Sequence, residues 1–175
     1  MILRPLFILI VMFSMQSMVV SAEDTHLVPS TAANVIASSK SNGAEYTVIN
    51  LWATWCIPCR QEFPHFVKLH QELAAKGVNV TFLSCDFEES KKDAVAFLKE
   101  QGVTWTNYIK AERDEPFVQS FPKDWSGALP MTVIYDKQAN LLTWWEGAVN
   151  HEELTAHVKK AMSVNSVTVK TEPAH

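Results

Sequence analysis

The sequence predicts an α/β fold: a central mixed β-sheet, mostly parallel, flanked by helices on both faces, with an antiparallel hairpin at one edge. Three observations carry that expectation. Short apolar runs rich in β-branched and aromatic residues alternate with stretches of helical periodicity. The last two runs, MTVIYD and LLTWW, are separated only by KQAN, a hairpin spacing. The chain has 175 residues, 47% of them hydrophobic, enough for one domain with its own core.

The elements follow in order. Residues 1–22 place Arg4 before an apolar run and close on Val20-Ser21-Ala22, small residues at the spacing a signal peptidase accepts. The run falls short of the ~20 apolar residues a spanning helix needs, which favours a cleaved signal peptide over an uncleaved anchor. Residues 23–164 are then one domain and 165–175 a flexible tail. PSTAANVIASSK has a weak helical pattern, with Ser30 or Thr31 as cap. YTVINLWA reads as a buried strand. Phe63, Phe66, Val67, Leu69 and Leu73 recur at helical spacing up to Gly77, and Pro64 is expected to kink or break that helix early. VNVTFLSCD is a second buried strand. Ser90 and Asp93 resemble a capping box opening a helix to Gly102, VTWTNYI is a short strand, and 110–127 reads as loop. After the hairpin, Asn150 with Glu153 caps a last helix running to about Val164.

The formal charge is −4 with Lys and Arg scattered, so no basic patch invites nucleic acid. Chemistry concentrates in NLWATWCIPCRQEFP (50–64). Cys56 follows a buried strand and Cys59 lies one helical turn on, so both side chains share a face. A disulfide closing so short a loop removes little chain entropy and is a poor staple. A zinc site needs about four ligands, and no second Cys or His pair has matching spacing. A redox pair remains, working in the oxidising compartment that an export signal implies. Cys56, at the helix N-terminus, would be the attacking thiolate and Cys59 the resolving thiol. Glu62, one turn beyond Cys59, has two readings: a partly buried acid that moves protons for Cys59, or an acidic residue favoured near a helix start. The reading calls for no cofactor and no metal.

WATWCIPCRQEFP resembles the active-site segment of thioredoxin-fold proteins, most of all the exported TlpA/ResA-like reductases. GALPMTVIYDKQANLLTWWEG is similar to that family's segment from its cis-proline through the hairpin. The resemblance implies a thioredoxin-like fold, a cis bond before Pro130, and a proton-transfer role for Glu62. It also implies substrate contact by Trp55, Pro58, Leu129 and Pro130. Asn50 sits where thioredoxins keep a buried acid. Trp52 reads as core, while Trp125 either reaches the substrate lip or is an exposed structural residue. Cys85 reads as an inert buried thiol or a third redox group. His65, His70, His151 and His157 read as solvated.

Ile57 and Pro58 between the cysteines add no cation or side-chain hydrogen bond, so the Cys56 thiolate is only moderately stabilised and the dithiol should be a donor. The expected activity is therefore a periplasmic or otherwise exported thiol–disulfide reductase, acting as a monomer on exported cysteine-containing proteins. The resemblance implies a membrane electron donor of the DsbD type and apocytochrome c among the recipients. An oxidant or isomerase, and a copper- or metal-binding module on the same fold, stay open at this point.

Overall fold

A computed structural model describes residues 27–170, with side chains to residue 163. The expected signal peptide and residues 171–175 lie outside the described residues. The elements are β1 (Leu27–Ser30), α1 (Ala32–Ser38), β2 (Tyr46–Trp52), α2 (Ile57–Leu73), β3 (Val78–Ser84), α3 (Lys91–Glu100), β4 (Asn107–Lys110), α4 (Asp114–Gln119), β5 (Met131–Asp136), β6 (Leu141–Glu146) and α5 (His151–Lys170). The six strands form one sheet in the order β1-β4-β3-β2-β5-β6. The first four are mutually parallel; β5 and β6 join antiparallel, as the hairpin predicted.

Topology sorts the helices. The crossovers β2–α2–β3 and β3–α3–β4 step outward in one direction, and the right-handedness of such connections puts α2 and α3 on one face. They share a core there with α5, built on Trp52, Phe63, Phe66, Phe82, Phe97, Leu98 and Leu154. The step from β1 through α1 to β2 runs back across the sheet, so α1 lies on the other face. That face buries Val35, Ile49, Leu51, Leu83, Phe117, Phe121 and Trp125, with α4 covering it.

Several local expectations hold. Thr31 Oγ1 accepts from Asn34 N–H, capping α1. Asn150 Oδ1 accepts from the Glu152 and Glu153 N–H groups, and Glu153 Oε2 accepts the Asn150 N–H, a complete capping box. Others need correction. Ser90 makes no side-chain cap; a 3-10 turn, Glu88–Ser90, leads into α3 instead. The helix α2 continues through Pro64 to Leu73. Pro64 removes a partner from the Arg60 carbonyl, and Arg60 is exposed, so water can replace it. Two short elements were not expected: β1 runs into the start of the PSTAANVIASSK stretch, and α4 forms within 110–127, which reads as loop. The strand read over 103–109 shortens to Asn107–Lys110, because Val103 and Trp105 pack against the α2 side of the core. The last helix runs past Val164 to Lys170, since no Gly or Pro interrupts it before Pro173.

Candidate active site

The end of β2 and the start of α2 build the site. Trp52 closes the strand, three residues turn the chain, and Cys56 becomes the N-cap of α2 with extended backbone (φ −85°, ψ 99°). An N-cap side chain normally offers an oxygen to the first unpaired N–H groups. Here the acceptor is sulfur: Cys59 N–H donates to Cys56 Sγ at 3.3 Å. Cys56 and Cys59 are joined as a disulfide with Cα atoms 5.3 Å apart. Cys56 is 5% exposed and Cys59 is fully buried. One sulfur therefore reaches the surface edge and the other backs it. Pro58 sits in the first helical turn, where its missing N–H costs no intrahelical bond.

Glu62 lies one turn beyond Cys59 and is buried. Its Oε1 accepts from Asn50 Nδ2 at 2.9 Å and its Oε2 from Val149 N–H at 3.0 Å. Asn50 Nδ2 also donates to Thr132 Oγ1 at 3.0 Å, tying the carboxylate to β2 and β5. Burial is the main influence on the acid and pushes it up to about 7; the two hydrogen bonds oppose this without cancelling it. Such a group gives and takes protons near neutral pH. Glu62 is buried and lies one turn from Cys59 on the same face of α2.

The mouth of the site is apolar. Trp55 is 63% exposed and Ile57 68%, on either side of Cys56. A groove of about 480 Å³ runs from Trp55 past Phe87, Val118 and Trp125 to Leu129. Lys110 and Asp114 at its rim pair with each other, and Lys110 lies over the Phe87 and Phe117 rings. The Leu129–Pro130 bond is cis, as the resemblance implied. Trp55 and Leu129 are thus brought together in one groove, whereas Pro58 is exposed outside it. Trp125 is buried rather than exposed, and its indole N–H donates to the Ala128 carbonyl, steadying the segment before Leu129.

Sequence reasoning missed a polar brace. The Asp86 carboxylate is fully buried and accepts from Thr54 N–H (3.1 and 3.0 Å), Thr54 Oγ1 (2.6 Å) and Ser84 Oγ (2.8 Å). Register brings it about: Trp52 pairs with Ser84 across β2 and β3, so Thr54 and Asp86, each two residues further on, emerge side by side. Cys85, between Ser84 and Asp86, lines the groove, and burial pushes its thiol up to about 12. That speaks for the inert reading. Alkylation of the reduced protein at pH 8 should therefore label Cys85 roughly a thousandfold more slowly than an ordinary cysteine, from the thiolate fractions alone. Peptide mapping after brief treatment checks this; equal labelling of Cys85 and Cys56 would refute it.

Three of the four histidines are packed rather than simply solvated. His70 stacks on Trp105 and His157 on Trp145, while His151 Nε2 lies 3.2 Å from Glu72 Oε2. Burial lowers the pKa of His70. Their helices cover aromatic residues at the margin of the sheet, a context that helical spacing alone does not reveal.

Known proteins align with the central part of this chain. The thiol-disulfide oxidoreductase ResA of Bacillus thuringiensis (strain Al Hakam) is 24% identical over 112 residues, covering 64% of this chain and 61% of that protein. The thiol:disulfide interchange protein HelX of Rhodobacter capsulatus is 27% identical over 112 residues, covering 63% of this chain and 57% of its own. The match thus spans about 60% of the length of these relatives. A thioredoxin-related protein from Neisseria meningitidis serogroup B superposes with a TM-score of 0.58 at 30% identity, covering 70% of this chain and 89% of that one. A thiol:disulfide interchange protein of the thioredoxin family from Chlorobium tepidum TLS gives 0.59 at 20% identity, covering 78% and 96%, and shares the fold. Residues 21–144 match the AhpC/TSA family, and with a thioredoxin-like sheet carrying a Cys-X-X-Cys pair at the start of α2, the chain belongs to that family.

Proposed function

We propose that the protein is an exported thiol–disulfide reductase that acts as a monomer on disulfides of exported proteins, including those of cytochrome c maturation. The observation that carries this reading is Cys56 Sγ at the N-cap of α2, accepting a backbone N–H, with Cys59 bonded behind it. A thiolate at Cys56 would keep that bond and face the positive end of the helix dipole.

In the reduced protein, the Cys56 thiolate attacks a client disulfide. A Cys56–client bond forms, the client S–S bond breaks, and the departing client sulfur takes a proton. Cys59 then loses its proton to Glu62 and attacks Cys56 Sγ, releasing the second client sulfur. The client gains two electrons, and Cys56–Cys59 is left as the disulfide. A membrane donor of the DsbD type returns the pair to dithiol. Trp55, Pro58, Leu129 and Pro130 would hold the client, with apolar side chains next to its cysteine lying in the groove. Residues 1–22 serve as the signal that exports the chain.

Trapping tests this directly. In cells making Cys59→Ala, clients should accumulate on Cys56 as adducts that dithiothreitol releases, whereas Cys56→Ala should capture none and reduce insulin only at the uncatalysed rate. If Cys59→Ala captures no exported protein, the reading fails. A potential of the wild-type pair near the strongly oxidising end, ~−120 mV, would reverse the direction to oxidation.

A further inference from the structure

A buried carboxylate beside the cysteine pair takes no part in the steps above. Asp86 follows β3, and everything bonded to its oxygens is a donor: the Thr54 N–H, the Thr54 hydroxyl and the Ser84 hydroxyl. Its own N–H donates to Ser84 Oγ, so the cluster closes on itself. An arrangement of donors alone is the one that an acceptor-only carboxylate satisfies. Thr54 is two residues before Cys56, in the turn that delivers that sulfur to the N-cap of α2. Two peptide links span at most ~7 Å, which puts the anion on the order of 10 Å from Cys56.

Other charged groups surround this end of the sheet. Glu62 on α2 bonds to Asn50 and Val149, Arg60 of α2 lies over the Phe97 ring, and Lys110 of β4 pairs with Asp114 of α4. Asp86 is the one bonded to the cysteine-bearing turn. A buried anion at this distance opposes a new thiolate, and in a protein interior the effect is about tenfold in equilibrium.

We propose that Asp86 is a positioning residue for Cys56 that fixes the Thr54–Cys56 turn and, through its negative charge, keeps the cysteine pair on the reducing side. The helix terminus favours the thiolate and Asp86 limits it. Less stabilisation of the thiolate means a less stable dithiol and a stronger electron donor. The proposal rests on the reading that the pair exchanges disulfides, and it identifies the group that sets how readily it does so.

The test is the equilibrium of the pair with glutathione, together with the pH dependence of Cys56 alkylation, in the full mature chain. Asp86→Asn removes the charge at nearly constant shape. It should move the pair about tenfold toward dithiol, which is ~30 mV for a two-electron couple, and let Cys56 alkylate at lower pH. Thr54→Val keeps the charge and removes one hydrogen bond, so it should leave the equilibrium within about twofold. Asp86→Glu should fall close to wild type. The proposal is overturned if Asp86→Asn leaves the equilibrium unmoved or moves it toward disulfide. It is equally overturned if Thr54→Val shifts it as far as loss of the charge does, since the brace alone would then be responsible. Should Asp86→Asn not fold, Asp86→Ser supplies the neutral arm, and the Thr54→Val outcome still decides. A wild-type potential too oxidising for a reductase would defeat the functional reading while leaving the Asp86→Asn shift intact.

Discussion

Replacing Phe63 with alanine is expected to destabilise the protein by about 4 kcal/mol. Phe63 is fully buried on α2. Its ring stacks on Phe82 with centroids 3.9 Å apart and meets Trp52 and Phe97 edge-on, each at 5.0 Å. Removal leaves a cavity bounded by three rings from β2, β3 and α3, none of which can collapse into it without leaving its own strand or helix. Aromatic pairs of this geometry add ~0.5–1.5 kcal/mol beyond area burial. Against a total stability of ~5–15 kcal/mol, the loss is a large fraction. Urea unfolding should show a lower midpoint with an unchanged slope. Phe63→Leu should recover more than half of the difference. A midpoint within experimental error of wild type would mean that α2 is not anchored through this ring.

Stability should also fall as pH rises from about 4.5 through about 7, because of Glu62. Its acid is held near 7 in the folded chain, against 4.5 for an ordinary glutamate. Below 4.5 the group is protonated in folded and unfolded chains alike, and its contribution is fully present. Between the two values the unfolded chain releases the proton and the folded chain retains it, so unfolding gains with each step in pH. Above 7 both states are ionised and the loss is complete, at about 3 kcal/mol. Urea midpoints measured from pH 4 to pH 9 check the slope. Glu62→Gln should flatten it, even though the glutamine cannot accept from both Asn50 and Val149 and loses about 1 kcal/mol at every pH. A slope unchanged in Glu62→Gln would place the coupled proton elsewhere.

Much of this architecture was legible in the sequence because its central strands are buried on both faces. Tyr46–Trp52, Val78–Ser84 and Met131–Asp136 are nearly continuous apolar runs, and only a covered sheet needs them. The cysteine pair was legible for another reason: its sequence spacing is also its spatial spacing. The short elements escaped. Leu27–Ser30 contains Pro29, and Asp114–Gln119 contains Pro116; each is too brief to show a period and owes its form to packing. The Asp86 brace escaped because it joins residues 32 positions apart, and such pairs appear only once the register of β2 and β3 is known. Packing of the histidines was hidden in the same way.

The margins of the sheet carry a further consequence. A strand at a free border exposes a row of backbone donors and acceptors that could recruit a strand from another molecule. On one side that border is four residues long and includes Pro29, which has no N–H to give. On the other, β6 ends at Glu146, whose carboxylate accepts from the Ser126 N–H and hydroxyl. The Pro29 border is thereby a poor template for chain-to-chain zippering.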